Sequence, residues 1–479
     1  MTNLNTIRSK VLPLIQPTEE ENKALDQLFR ILKEKLHYFA NKLNILPTFI
    51  QNHGSTGIKQ THLRGTSDLD IFIGLDPAAY TNIINLPPKM RKNTLKDLFL
   101  SYVNEWFIPA AQAAGFPRYQ LSYAEHPYLI ITHEKYEIDI VGCFDLPYDF
   151  LLTNGPITAV DRTPWHSKII AEKLSDAQKQ DVRLLKAFFQ ANYVYGDKNT
   201  LGRFGFTGFS AEILILYYQN IENVFSHFEE LQHTAIDFFD RSPTFLRKIK
   251  RFQNDFLLII DPVDKNRNLA ASISKRAYEY ALFQIKQFQT NPSPKFFLKE
   301  PLQPLTSNKL SPFSPHLVVI EFKSDGTVHY SELRDKLTSA CERLRKLLEK
   351  EKTGEPRFGK TFFEVYFEGN IYAAIFYCEY AALDSTYLRR GPPKTKIPNV
   401  KQFCAKHPNA FLKNGFYYAP IEREFRKPID LVSHFFQNYK KIKGLTLHSI
   451  THEGATPIGQ RAVTLMVTHI LPLYGVIPS

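Results

Sequence analysis

Two aspartates in an apolar run near residue 70 constrain the fold of this chain more than any other feature. Asp68 and Asp70 are two residues apart, and the other residues of 69–73 are Leu, Ile, Phe and Ile. Since alternate side chains of a β-strand point to the same face, this spacing predicts two neighbouring carboxylates on one face of a sheet. Neighbouring carboxylates raise each other's pKa unless a cation lies between them, and hard divalent ions such as Mg²⁺ prefer oxygen ligands. The pair therefore indicates metal-assisted phosphoryl chemistry, although a solvated strand end would give the same pattern.

A second strand pattern supplies a third carboxylate. Segment 136–141 reads Tyr-Glu-Ile-Asp-Ile-Val, an alternating strand that places Asp139 on its inward face. Three carboxylates on neighbouring strands can hold two metal ions, of which one activates an attacking hydroxyl and the other binds a triphosphate. Upstream, Gly54 and Ser55 follow the apolar segment 46–50, and such a small pair allows backbone N–H groups and a hydroxyl to approach a phosphate. Together these segments predict a nucleotide-binding catalytic centre on a sheet.

The charge of the chain narrows the class of partner. Lys and Arg total 60 and Asp and Glu total 48, so the formal net charge is +12, and the sequence pI is about 9.2. Such a surface attracts polyanions, of which nucleic acid is the commonest, although a generally basic enzyme has the same balance. At 479 residues, the chain is long enough for about three domains.

Cysteine content and hydropathy predict the compartment. The four cysteines have neither the spacing of a metal site nor the density of a disulfide framework. The N-terminus lacks the apolar segment of a signal peptide, and no run of about 18 apolar residues occurs. We therefore expect a cytoplasmic protein that is neither secreted nor membrane-spanning. The sequence leaves a homodimer open.

A long helix is predicted after residue 175. Ser175 is typical of an N-cap, and the helix is expected to run over 176–195, where a glycine ends it. Lys186 and Tyr195 are nine residues apart, so on an ideal helix they lie on nearly opposite faces. A solvated helix face is the structural alternative to a binding role for Lys186.

The polar loop 261–268 contains a cation in an unusual predicted position. The loop is expected to lead into an apolar helix over 269–288, which puts Arg267 at a helix N-terminus. A cation is electrostatically disfavoured there. Arg267 is therefore expected to have either a functional partner or an ion pair with the nearby Asp264.

The last third of the chain predicts a separate βαββ unit. Its pattern is a strand over 317–322, a helix over 331–350, and strands over 361–367 and 372–380. The helix carries several cations, and the loop 388–396 reads Leu-Arg-Arg-Gly-Pro-Pro-Lys-Thr-Lys. Cations interleaved with aromatic residues fit an RNA-binding surface, although a solvated face explains them equally well.

With these segments placed, the chain resembles the class I, archaeal-type CCA-adding enzymes, which are tRNA nucleotidyltransferases of the DNA polymerase β-like superfamily. The superfamily part of the resemblance is Gly-Ser at 54–55, Asp-Leu-Asp at 68–70 and Glu-Ile-Asp-Ile-Val at 137–141. The more specific part is Ala-Val-Asp-Arg-Thr-Pro-x-His at 159–166 and Asp-Pro-x-Asp-x-x-Arg-Asn at 261–268. One departure is Gly142, which stands where a proline is expected after the last catalytic strand.

The resemblance implies a role for each candidate residue. Asp68, Asp70 and Asp139 would be the catalytic residues and would bind two Mg²⁺ ions. The implied triphosphate ligands are Ser55, His166, Lys186 and Tyr195. Thr163 would lie near the ribose, Arg267 would read the incoming base, and Lys59 would bind the nucleotide in place of a family arginine.

The resemblance also implies an α+β multidomain fold. Its parts would be a polymerase β-like nucleotidyltransferase head with a mixed sheet and helices (1–150), a mainly helical neck (151–290), and an α/β RNA-binding body and tail (291–479). The implied reaction is template-independent addition of C, C and A to the 3′ end of tRNA from CTP and ATP, with release of pyrophosphate. The tRNA would be bound through its acceptor stem and T arm. Two alternatives remain: another RNA nucleotidyltransferase, of the poly(A) polymerase or oligoadenylate synthetase kind, and a catalytically inactive RNA-binding protein.

Overall fold

The chain folds as two compact units that each combine helices with a sheet. The computed structural model describes residues 4–65, 68–123, 126–198, 200–438 and 441–476. The first unit consists of Met1–Gly196, Phe206–Ile273 and Gln284–Lys299, and the second of Asp197–Gly205, Ser274–Phe283 and Glu300–Ser479. The α+β multidomain fold class is confirmed. The division into head, neck, body and tail stays a prediction.

The elements of the first unit include the predicted strands near residues 70 and 139. Its helices are α1 (Leu4–Ile15), α2 (Glu19–Lys42), α3 (Thr81–Ile84), α4 (Pro88–Tyr102), α5 (Ile108–Ala113), α6 (Tyr148–Asn154), α7 (Thr163–Lys173), α8 (Asp176–Ala191), α9 (Gly208–Tyr218), α10 (Ile221–His227) and α11 (Pro243–Lys248). Its strands are β1 (Phe49–His53), β2 (Asp68–Leu75), β3 (Tyr119–Tyr123), β4 (Pro127–His133), β5 (Tyr136–Phe144), β6 (Ile260–Asp261) and β7 (Asp264–Asn268). Helix α12 (Lys275–Thr290) contributes residues to both units.

A five-stranded mixed sheet in the order β1-β2-β5-β4-β3 forms the centre of the first unit. Strands β2 and β5 are parallel, and the other neighbours are antiparallel. The alternate apolar residues Leu69, Ile71 and Ile73 are fully buried in one cluster with side chains of α2 and α5. Because side chains alternate along a strand, Asp68 and Asp70 are left on the other face.

Helix α2 begins at Glu19 because the preceding residue caps it. The Thr18 hydroxyl accepts a hydrogen bond from the backbone N–H of Glu21, and the Glu21 carboxylate accepts one from the backbone N–H of Thr18. This reciprocal capping box satisfies two backbone donors at the helix start. The helix then supplies buried leucines to the core against the sheet.

Gly142 lies within β5 rather than after it, which corrects the sequence-based expectation. A Cβ atom at this position would lie 2.6 Å from the nearest ring carbon of Phe99, on α4. The ring of Phe99 also stacks on that of His126, with the ring centroids 3.9 Å apart. The absence of a side chain in β5 therefore gives Phe99 the space to pack against the strand.

The second unit contains the predicted βαββ arrangement. Its helices are α13 (Ser307–Leu310), α14 (Tyr330–Glu349), α15 (Ile397–Lys406), α16 (Pro428–Asn438), α17 (Pro457–Leu465) and α18 (Leu471–Leu473). Its strands are β8 (Leu317–Ser324), β9 (Thr361–Glu368), β10 (Ile371–Cys378), β11 (Thr386–Pro393), β12 (Phe411–Lys413), β13 (Phe416–Glu422) and β14 (Leu445–Thr451). The main sheet has the order β14-β8-β10-β9, and a second sheet has the order β11-β13-β12.

Three local predictions are wrong. The predicted loop 388–396 begins as strand β11, which pairs with β13 and has a register shift between Arg390 and Pro393. The helix expected over 176–195 ends at Ala191, and the helix expected over 269–288 begins only at Lys275.

Within the described residues, no helix is both long and apolar enough to cross a membrane.

Candidate active site

The sheet brings two of the predicted metal-binding carboxylates side by side. In the parallel pair of β2 and β5, Asp70 lies beside Asp139, and Asp68 lies beside Glu137. Burial, followed by repulsion from Asp68, raises the pKa of Asp70 to about 6. Burial, followed by repulsion from Asp70, raises the pKa of Asp139 to about 7. A bound cation would reverse this effect by favouring the ionised carboxylates.

The surroundings of one Asp139 oxygen indicate whether Asp70 and Asp139 fit a metal ion. Oδ1 of Asp139 is buried and has no hydrogen-bond partner among the described residues. Because an unsatisfied buried acceptor costs free energy, this atom fits a hard divalent cation that prefers oxygen ligands. Asp68 is exposed at the start of β2, and no three His, Cys, Asp or Glu side chains in the described ranges already converge as a metal site. Asp70 and Asp139 therefore fit the cation as a pair, with Asp68 two residues away along the strand.

The Gly54–Ser55 turn approaches this pair closely. Gly54 has φ +66°, and a Cβ atom there would overlap Oδ2 of Asp70, so only glycine fits. The carbonyl oxygen of Ser55 accepts a hydrogen bond from the N–H of Thr61 at 2.9 Å. The hydroxyl of Thr56 donates to the carbonyl oxygen of Asp68 at 2.5 Å. These bonds hold Ser55, a predicted phosphate ligand, next to the carboxylate pair.

Lys59 and Lys186 share one buried carboxylate, that of Glu212 on α9. The Nζ atom of Lys59 lies 2.9 Å from Oε2, and the Nζ atom of Lys186 lies 2.8 Å from Oε1. Burial alone would raise the pKa of Glu212, but Lys186 and Lys59 lower it to about 2. Lys186 is only 2% exposed, so it is not part of a solvated helix face. Its Nζ also donates to the carbonyl and hydroxyl oxygens of Thr61, at 3.1 and 3.0 Å.

Tyr195 reaches the same place as Lys186 because α8 ends early. The chain turns at Tyr193, which has φ +56°, and Tyr195 then pairs with Phe206 in an isolated bridge. A Cβ atom at Gly208 would lie 3.0 Å from the Tyr195 hydroxyl oxygen and 3.4 Å from Nζ of Lys186. The two side chains would lie on opposite faces only of an ideal helix over 176–195; because the helix ends at Ala191, both lie against the backbone of Gly208.

Arg267 has a different ion-pair partner from the one that the sequence suggested. It lies in strand β7 of the β6–β7 hairpin rather than at a helix N-terminus, and its Nη1 lies 3.0 Å from Oδ2 of Asp261. Asp264 instead pairs with Arg162 at 2.6 Å. Nε2 of His166 lies 2.9 Å from both oxygens of Asp261. One carboxylate thus joins a predicted base-reading residue to a predicted triphosphate ligand.

The aromatic ring of Phe209 lies beside both groups of candidate residues. Nζ of Lys59 lies 4.8 Å from the ring centroid of Phe209, and the ring of His166 lies 4.2 Å from it. Thr163, the predicted ribose contact, is the first residue of α7, three residues before His166 on the same helix. The ten predicted site residues all belong to the first unit.

Comparison with known proteins shows what this fold and site are similar to. Residues 180–298 match the family model of the tRNA nucleotidyltransferase second domain. The CCA-adding enzyme of Methanocaldococcus jannaschii is 28% identical to this chain over 454 residues, which cover 89% of this chain and 90% of that enzyme. The chain is thus similar to archaeal CCA-adding enzymes, in one case over nearly the whole length of both chains.

Other similar proteins match over a smaller share of the chain. The CCA-adding enzymes of Pyrobaculum islandicum and Saccharolobus solfataricus are 31% and 32% identical, over 62% and 61% of this chain. The alignments span 63% and 61% of those two enzymes. Among solved structures, the Cid1 poly(U) polymerase bound to MgATP is 13% identical, with a TM-score of 0.46, and covers 62% of this chain and 99% of its own.

No sequence pattern assigned a role to three buried residues that organise the site, although one of them, Asp261, begins the motif at 261–268. Glu212, Asp261 and Arg183 each fall in an apolar or polar stretch without a spacing that indicates their partners. Arg183 on α8 donates from Nη2 to the carbonyl oxygen of Gln60 at 2.5 Å and from Nε to that of His62 at 3.1 Å. The signal that could have found them is a charged residue in a segment that is otherwise buried, since such groups require a partner.

We expect the metal-free protein to lose stability as the pH rises from about 4 to about 7. Asp70 and Asp139 have pKa values of about 6 and about 7 in the folded state, above the ordinary value near 4 of an unfolded chain. Between these values the folded state binds more protons than the unfolded state, so the free energy of unfolding decreases with pH. Denaturant unfolding in the presence of a chelator measures this slope. The double variant Asp70→Asn/Asp139→Asn should flatten it, and an equally steep slope in that variant would contradict the assignment.

Proposed function

We propose that this protein adds C, C and A in turn to the 3′ end of tRNA, using CTP and ATP and releasing pyrophosphate, without a nucleic-acid template. The observation that carries the proposal is the pairing of Asp70 and Asp139 on adjacent strands directly beside the Gly54–Ser55 turn. The relatives named CCA-adding enzymes support tRNA as the acceptor and CTP and ATP as donors.

The carboxylates would hold the metal ions of the reaction. Asp68, Asp70 and Asp139 would bind two Mg²⁺ ions, which when bound lower the pKa of the RNA 3′-hydroxyl and stabilise the departing pyrophosphate. Asp139 supports this assignment with its buried, unpartnered Oδ1. Gly54 supports it because the absence of a side chain there leaves room for Oδ2 of Asp70.

The phosphates would be bound by the turn and by the two lysines. The backbone N–H groups at Ser55 are suited to a phosphate because a turn of this kind forms a small anion-binding concavity. Lys59 contacts one oxygen of Glu212 and the ring of Phe209, which leaves N–H donors for a triphosphate. Lys186 already uses its three donors on Thr61 and Glu212, so it binds phosphate only by exchanging one of them.

Arg267 would select the base. Cytosine and adenine both present an amino group beside an acceptor ring nitrogen, whereas uracil and guanine present the reverse pattern. The side chain of Arg267 is 43% exposed and uses Nη1 on Asp261, so its other donors can pair with the acceptor nitrogen. A wrong base would leave buried groups unpaired at a cost of about 1 to 3 kcal/mol each.

The RNA would be bound mainly through its duplex. We propose that the cations of the second unit contact phosphates and 2′-hydroxyls of the acceptor stem and T arm, since an A-form duplex is read in this way. Arg343 and Lys346 on α14 and Lys350 directly after it are exposed, while Arg345 is paired with Glu342 and Glu349. A cytoplasmic location and a homodimer stay predictions.

A nucleotide-addition assay on tRNA lacking its CCA end tests the function. We expect extension by three nucleotides that requires both CTP and ATP, releases one pyrophosphate per addition, and stops when a chelator removes divalent ions. A poly(A) polymerase-like enzyme would instead make longer products from ATP alone. An RNA-binding protein without activity would retain the tRNA and release no pyrophosphate. Either of these results would replace the proposed function.

A further inference from the structure

Asp261 is fully buried and makes four hydrogen bonds with three groups. Its Oδ1 accepts from the backbone N–H of Val263 at 2.9 Å, and both of its oxygens lie 2.9 Å from Nε2 of His166. Its Oδ2 also accepts from Nη1 of Arg267 at 3.0 Å. Burial alone would raise the pKa of Asp261, but His166, the Val263 N–H and Arg267 lower it to about 2. Asp261 is thus an ionised acceptor, and Nε2 of His166 carries the hydrogen that it donates.

These bonds fix the orientation of two side chains to which the proposed function assigns different parts of a nucleotide. His166 is held at Nε2 and packs its ring against Phe209, so the direction of its Nδ1 is set. Arg267 is held only at Nη1, on a side chain that is 43% exposed. An arginine side chain without such an anchor samples many rotamers, and each rotamer presents its planar donors in a different direction.

We propose that Asp261 is a positioning residue that couples phosphate binding at His166 to base selection at Arg267. The proposal rests on the proposed function, because it gives the two residues those nucleotide contacts. It assigns Asp261 no contact with the substrate. One carboxylate holds His166 toward the triphosphate and the guanidinium of Arg267 in the orientation that pairs with cytosine or adenine, so both contacts depend on Asp261.

Asp264 provides a matched control on the same hairpin. It is also a buried aspartate, but its carboxylate pairs with Arg162 at 2.6 Å and accepts from the backbone N–H of Asn266 at 3.0 Å. Asp264→Asn and Asp261→Asn therefore remove equivalent charges from one hairpin. Only Asp261→Asn removes the ion pair of Arg267.

The experiment measures kcat/KM for CTP and for UTP on tRNA lacking CCA, in the full chain. In Asp261→Asn, we expect the ratio of kcat/KM for CTP to kcat/KM for UTP to fall by about tenfold, because a fixed donor no longer rejects the wrong base. The same fall is expected in Arg267→Ala. The double variant Asp261→Asn/Arg267→Ala should fall no further than Arg267→Ala, since the two residues act as a unit. Asp264→Asn should keep the wild-type ratio. His166→Ala should also lower the ratio, although His166 is not a base contact.

The outcomes separate this inference from the proposed function. A wild-type protein that adds neither C nor A refutes the proposed function, and calorimetric binding of CTP and UTP to the same variants then tests the role of Asp261 directly. A wild-type protein that discriminates, together with an unchanged ratio in Asp261→Asn, overturns the inference alone. A purely structural role would lower activity with both nucleotides equally and leave the ratio unchanged. If Asp261→Asn does not fold, the CTP-to-UTP ratio of His166→Ala tests the coupling instead. An unchanged ratio in that variant would also overturn the coupling.

Discussion

Replacing Asp70 or Asp139 by alanine is expected to reduce nucleotide addition by about a thousandfold or more, while the protein stays folded and binds tRNA. The two carboxylates lie side by side on parallel strands, and neither ion pairs with a lysine or arginine among the described residues. Each therefore repels its neighbour until a divalent cation binds. The loss should appear in kcat at saturating nucleotide and magnesium, because the carboxylates hold the ions that act in the transition state.

Glu137 supplies the control for this experiment. It lies on β5 two residues before Asp139 and is exposed beside Asp68. Glu137→Ala removes a negative charge from the same strand and should retain most of the activity. Without metal, Asp70→Asn should be at least as stable as the wild-type protein, since it removes repulsion between buried carboxylates. A variant of Asp70 or Asp139 that kept a tenth or more of wild-type activity would remove that carboxylate from the catalytic set.

Replacing Glu212 by alanine is expected to lower the free energy of unfolding of the first unit by about 3 to 5 kcal/mol. The change leaves Lys59 and Lys186 buried without their shared anion and leaves the Thr61 hydroxyl without its acceptor at 2.6 Å. Denaturant unfolding followed by far-UV circular dichroism measures the effect. Removing Glu212 together with one of its lysines, in Glu212→Leu/Lys186→Met, should cost less than the sum of the single changes because only Lys59, rather than both lysines, is left without the shared anion.

Glu222 is a matched acidic residue with a different environment. Its side chain is 44% exposed and pairs with Arg8. Glu222→Ala should cost only about 0 to 1 kcal/mol, as is typical of exposed ion pairs. A loss in Glu212→Ala that is no larger than the loss in Glu222→Ala would show that Glu212 does not neutralise the two lysines in the folded protein.

The sequence predicted the elements near the site better than the contacts between them. The apolar alternation around Asp70 and Asp139 is a local property, and it identified both strands and the face that carries the carboxylates. The termination of α8 was missed because residues as far as Val194 continue a helical pattern, whereas the turn depends on Tyr193 adopting a left-handed conformation. That single turn brings Tyr195 to Lys186.

The ion pairs of the site were beyond sequence reasoning for a physical reason. Lys59 and Glu212 are 153 residues apart in the chain, and no periodic pattern records a contact over that separation. Asp264 was the alternative to a functional partner for Arg267 because both were placed in one loop before a helix. In the β6–β7 hairpin, the strand geometry instead directs Arg267 to Asp261 and leaves Asp264 to Arg162.

The packing of Phe99 into the space left by Gly142 predicts which residues homologous proteins carry at these two positions. The two positions form one packing unit, since a side chain at 142 would overlap the aromatic ring at 99. A proline at 142 would also remove an N–H group from the interior of the sheet, where β5 has a neighbour on each side. Homologues with a larger residue at the position of Gly142 should therefore carry a smaller one at the position of Phe99. The two alignment columns are expected to covary, although neither residue belongs to the catalytic site.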